Sequence, residues 1–192
     1  SGNFNGGFAM FRGAGAGKFE PAHVWLTAGD DNLAVPAHSE PFFVDWDGDG
    51  DLDLLSGSAH GGVILALNRG SRTDWEFGAF AELIEPAGYT EDVTLGDEHI
   101  TGPQTGTRVW AADVDGDGKL DLNYVFTREE NARGNRKDYW LRTCLQEPAP
   151  HFTRCSELDL PGHARGYDVA ELDGEPGAEL VLLTSDGGAL AH

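Results

Sequence analysis

The chain has 192 residues, 40% of them hydrophobic and 10% aromatic, which is enough to build a packed core and excludes intrinsic disorder. Its 13 Lys and Arg stand against 33 Asp and Glu, and a formal net charge of -20 repels phosphate backbones and anionic bilayers, so nucleic acid is excluded as a partner. No stretch approaches the roughly 18 apolar residues of a membrane span.

Gly6-Gly7 ahead of Phe8-Ala9-Met10-Phe11 reads as a turn feeding a strand. No basic-then-apolar leader opens the chain, so a protein exported by that route has already lost it. Phe42-Phe43-Val44 then enters an acidic turn, Asp45-Trp46-Asp47-Gly48-Asp49-Gly50-Asp51-Leu52-Asp53, and the chain leaves through Leu54-Leu55. Gly61-Gly62 separates that strand from Val63 to Leu67 and predicts a hairpin. Within Gly57-Ser58-Ala59-His60-Gly61 the serine is one position off the G-x-S-x-G elbow and falls in the hairpin turn, so it is not read as a nucleophile. From Glu85 to Thr107 runs a long segment rich in Gly, Thr and acids, including Asp97-Glu98-His99, which we read as a solvent-facing loop.

The plan then repeats. Val109-Trp110-Ala111-Ala112 enters Asp113-Val114-Asp115-Gly116-Asp117-Gly118-Lys119-Leu120-Asp121, followed by Leu122. The next hairpin tip is the charged stretch Arg128 to Asp138, where Arg128, Arg133, Arg136 and Lys137 form a basic, solvated loop. Cys144 and Cys155 flank Glu147-Pro148-Ala149-Pro150, and a hairpin centred there sets them opposite each other, as a disulfide in an oxidising compartment requires. A third copy, Glu171-Leu172-Asp173-Gly174-Glu175 to Glu179, precedes Leu180-Val181-Leu182-Leu183. Helical periodicity is nearly absent, and 27 Gly and 9 Pro punctuate the chain, so the fold class is all-β.

Carboxylates at loop positions 1, 3 and 5 converge on one point when glycines let the backbone turn sharply, with a backbone carbonyl at position 7 and a last carboxylate at position 9. That assigns Asp45, Asp47, Asp49, the Asp51 carbonyl and Asp53 to one cation, and Asp113, Asp115, Asp117, the Lys119 carbonyl and Asp121 to a second. The Lys119 side chain is then free to point outward. All-oxygen donors in this number favour Ca2+ over Mg2+, and the lack of thiolates and clustered histidines argues against zinc. Solvated acidic turns are the alternative, but five like charges in nine residues repel strongly unless a cation neutralises them. In the third loop Glu171, Asp173, Glu175 and Glu179 are the candidate ligands. Two longer Glu and Pro176 predict a different geometry there, and its calcium is left open.

These D-x-D-G-D-G-x-x-D turns resemble the loops of the FG-GAP and VCBS repeats, found in integrin α-subunit propellers and many secreted bacterial proteins. The resemblance covers most of the chain and implies a β-propeller, commonly seven-bladed, with calcium held in blade loops on one face. Loop starts at 45, 113 and 171 then give about three blade equivalents in one partial propeller domain over residues 1–192. Three blades do not close a ring, so the remaining blades are expected on the same chain or on another that covers its edges. If the strand before each loop is innermost, as the resemblance implies, His38, Glu40, Arg108 and Arg165, with His163 and Gly166, lie near the axial mouth as candidate ligand-binding positions.

The functional expectation is an extracellular or cell-surface protein, with the periplasm also open, whose calcium-stabilised propeller segment binds a protein or glycan partner in adhesion or assembly. Two other classes stand beside it. One is the propeller part of a carbohydrate-active enzyme such as a polysaccharide lyase, with an acid/base group from Glu40, His38 or Arg108. The other is a purely structural subunit of a surface assembly. With no H-E-x-x-H, phosphate loop or dinucleotide fingerprint in the sequence, the balance lies with a non-enzyme.

Overall fold

A computed structural model describes residues 5–36, 39–58, 61–85, 105–128, 138–146, 152–160, 164–170, 172, 178–184 and 189–191. Every element among them is a strand, and every described pairing is antiparallel, as the Gly-punctuated sequence predicts. The described residues fall into two compact units, one made of residues up to 85 with 105–109, the other of residues from 110 on.

The first unit opens with a ribbon of β1 (Ala9–Gly15) and β2 (Lys18–Trp25). Its two-residue turn places Ala16 at φ 51° and Gly17 at φ 72°. Positive φ at both central residues is the I′ geometry that matches the twist of paired strands. After a short hairpin of β3 (Thr27–Ala28) and β4 (Asp31–Asn32) comes a four-stranded meander. Its order is β5 (Glu40–Val44), β6 (Asp53–Gly57), β7 (Val63–Ala66) and β8 (Ala81–Ile84). The expected hairpin between β6 and β7 is present, with Gly57 opposite Val63, and Gly61 and Gly62 both adopt the positive φ that favours glycine. Leu54 of β6 and Ala66 of β7 pack with Phe8, Leu26, Leu33, Val35 and Phe77 into the core of this unit. All five β6 residues are buried, because the strand is paired on both edges and covered on both faces.

The second sheet repeats the meander with β9 (Thr105–Ala112), β10 (Asp121–Arg128), β11 (Asp138–Cys144) and β12 (Cys155–Leu160). Arg128 pairs with Asp138, so β10 and β11 run to the base of the predicted charged hairpin tip, whose residues 129–137 lie outside the described set. Leu122, Tyr124 and Val125 of β10 are buried with Leu141 and Leu160. Cys144 stands directly opposite Cys155, and the two form a disulfide. A third sheet holds β13 (Ala164–Ala170), β14 (Glu179–Thr184) and β15 (Ala189–Ala191).

Each acidic loop joins the first strand of a sheet to the second. The closing pair of the first loop is Val44 with Asp53, and that of the third is Ala170 with Glu179. Both loops therefore have the same span, despite the Glu and Pro substitutions in the third.

Candidate metal centres

In the first loop Gly48 and Gly50 sit at φ 78° and 96°, a conformation that costs a side-chain-bearing residue but not glycine. These two bends wrap the chain so that one carboxylate oxygen from each of Asp45, Asp47 and Asp49 lies within 4.8 Å of the others. Gly50 N–H donates to Asp45 Oδ2 at 3.0 Å, and Asp51 N–H donates to Asp49 Oδ1 at 3.1 Å. Asp45 Oδ1 and Asp51 Oδ1 are buried without a hydrogen-bond partner. A buried acceptor left this way is costly, and a cation relieves the cost. Burial raises the Asp51 carboxyl above the ordinary value, and the neighbouring charges of Asp49 and Asp47 raise it further.

The second loop repeats the turn with Gly116 at φ 74° and Gly118 at φ 86°. One oxygen from each of Asp113, Asp115 and Asp117 again lies within 4.8 Å of the others. Asp113 accepts from Asp117 N–H at 3.0 Å and from Gly118 N–H at 2.9 Å. Lys119 departs from expectation: its side chain turns back, and Nζ donates to Asp117 Oδ2 at 2.8 Å. The nearest carboxylate is only two residues away, and an ammonium beside this many acids is held by charge. That hydrogen bond and a second, from the Lys119 backbone N–H to Asp117 Oδ1, hold the Asp117 carboxyl below its usual range.

The acid at position 9, outside both triads, has a structural task that spacing does not reveal. Asp53 is fully buried; its Oδ2 accepts from Trp46 N–H and its Oδ1 from Asn68 N–H, both at 2.8 Å. Asp121 does the same with Val114 N–H and Gln146 N–H, both at 2.9 Å. In each case one bond closes the loop onto its second residue. The other ties it to the chain two residues past the third strand, β7 or β11. Glu179 keeps the first half of this clamp, accepting from Leu172 N–H at 2.8 Å. Burial raises the Asp53 carboxyl, partly offset by the backbone N–H groups of Asn68 and Trp46.

Asn68 extends the clamp in the first unit. Its Oδ1 accepts from Gly70 N–H at 3.1 Å and Glu76 N–H at 2.8 Å, which shapes the connection that follows β7. Neither Asn68 nor Gln146 is marked by the sequence, because each meets the position-9 carboxylate through its backbone N–H. The available signal is positional, two residues beyond the end of the third strand in both sheets.

Of the other site residues, Glu40 and Arg108 are brought together as an ion pair, Nε to Oε2 3.2 Å, with both side chains about half exposed. Such a pair contributes about 0–1 kcal/mol. His38, Glu171, Asp173 and Glu175, together with His163 and the Asp97-Glu98-His99 cluster, lie outside the described residues, as does the side chain of Arg165. Ser58 Oγ donates to Gly61 O at 3.1 Å, within the hairpin turn where the sequence put it.

The donor set of each triad is all oxygen and anionic, and in the first loop buried acceptors wait unpaired. Both features fit a hard divalent cation such as calcium. No curated protein and no solved structure matches the chain. The family model for the FG-GAP-like repeat matches residues 45–122, from the first carboxylate of the first loop to just past the last acid of the second. Over those residues, the chain carries an FG-GAP-like repeat.

Proposed function

We propose that the chain is a calcium-stabilised segment of an extracellular or cell-surface β-propeller, serving as a binding or assembly module for a protein or glycan. In this reading each meander is a blade, about three blade equivalents belong to a larger ring, and the ions fix the blade loops without performing chemistry. The observation that carries it is the convergence of two Asp triads in corresponding loops of successive sheets, with buried partnerless acceptors in the first. The Cys144–Cys155 disulfide supports an oxidising compartment. Phe11, Phe19, Val24 and Trp25 are exposed on the β1–β2 ribbon, which supports a role in contact with a partner.

Extracellular calcium modules bind at about 10⁻⁴ to 10⁻³ M. At about ten times the Kd each occupied site adds roughly 1.4 kcal/mol to stability. The melting temperature in about 2 mM calcium is therefore expected to exceed that in excess EDTA by several degrees. Magnesium at the same concentration should restore little of it. Superimposable melts in calcium and EDTA would remove the stabilising role.

A further inference from the structure

We propose that the two acidic loops are unequal cation sites and that Lys119 sets the difference, its ammonium competing with the ion for Asp117. This rests on the calcium reading given above. The first loop holds five carboxylates and no base, whereas the second holds four carboxylates and Lys119. Affinity at such loops follows ligand charge, so the first starts with the advantage.

The side chains sharpen the contrast. Position 7 of the first loop is Asp51, only 7% exposed, with Oδ1 unpartnered, and Asp45 Oδ1 is unpartnered as well. These atoms gain when a cation arrives. In the second loop the Asp117 carboxylate is already engaged on both oxygens, Oδ1 by Lys119 N–H at 2.9 Å and Oδ2 by Lys119 Nζ at 2.8 Å. Among the described residues, no buried carboxylate oxygen of this loop lacks a partner. A divalent ion that takes Asp117 must displace the ammonium or sit beside it, and like charges a few ångströms apart repel. Lys119 thus behaves as a tethered monovalent counterion. The first loop should fill first and stay filled, and the second should respond to calcium over a higher range.

Lys119 is exposed, so replacing it should leave the fold intact. The glycine amides of Gly48 and Gly50 report on the first loop and those of Gly116 and Gly118 on the second, so one NMR titration with calcium chloride reads both. In the wild type the first pair is expected to move at several-fold lower calcium than the second. Lys119→Gln should tighten the second site about 3- to 10-fold, with less change at high salt, and Lys119→Asp should tighten it further. Simultaneous filling of the two loops in the wild type, or an unmoved Gly116 and Gly118 midpoint in both variants, would overturn the proposal. If neither pair of amides responds to millimolar calcium, it is the calcium reading itself that fails.

Discussion

Asp53→Ala is expected to destabilise the first unit by about 2–4 kcal/mol, the largest effect of any single substitution considered for the loops. The carboxylate is fully buried, and both its oxygens accept backbone N–H groups, from Trp46 inside the loop and from Asn68 beyond β7. Alanine leaves both donors without a partner, and an unsatisfied buried donor costs about 1–3 kcal/mol. Relief of repulsion with Asp47 and Asp51 offsets part of this, since both charges push the Asp53 carboxyl upward. Denaturant unfolding would measure the loss. Asp53→Asn should fall between the two, because the amide keeps one acceptor and turns a donor toward the other N–H. An Asp53→Ala protein as stable as the wild type would show that the clamp does not hold the loop.

Removing the disulfide is expected to be the next largest change. Cys144 and Cys155 are 11 residues apart in sequence, and closing a loop of that length stabilises by about 3 kcal/mol in the chain-entropy account. The consequence should also be local. Gln146, whose N–H ties Asp121 to the end of β11, lies two residues beyond Cys144. When the paired cysteines are replaced by alanine, the amides of Gln146 and Val114 should exchange faster with solvent. Those of Asn68 and Trp46, which serve the equivalent clamp in the other unit without a disulfide, should keep their protection. Equal acceleration at all four amides, or none at Gln146, would contradict the link between the bridge and the second loop.

The parts of the fold legible in the sequence are those set by local chemistry. Glycines at 48, 50, 116 and 118 announce the loop bends, Gly61-Gly62 the hairpin, and the spacing of the two cysteines the antiparallel pairing that sets them opposite each other. Apolar runs such as Leu54-Leu55 on either side mark strands that the sheets do contain. Contacts made across the sheet are where legibility ends. Spacing puts Asp53 and Asp121 at the ninth position, where a ligand is expected, but it does not tell which atoms meet their oxygens. The partners Asn68 and Gln146 lie 15 and 25 residues downstream and meet these carboxylates through backbone N–H groups, which any residue but proline supplies. The third loop illustrates the same limit. Its Glu171, Glu175 and Pro176, which predict a departure in geometry, lie outside the described residues, while the Ala170–Glu179 pairing and the bond from Leu172 N–H to Glu179 could not be read from spacing. The direction of Lys119 was equally hidden, since an exposed lysine has many rotamers and only the arrangement of the neighbouring carboxylates selects one.

Calcium stoichiometry is the most direct test of the central claim. The exposed candidate ligands Asp47, Asp49, Asp115 and Asp117 are the ones to replace, because Asp45 and Asp113 also hold the glycine turns. Calorimetric titration of EDTA-stripped protein should give two ions per chain for the wild type. One ion is expected for Asp47→Asn with Asp49→Asn, one for Asp115→Asn with Asp117→Asn, and none for the fourfold variant. A wild-type chain that takes up no calcium, or a fourfold variant that binds as much as the wild type, would contradict the account.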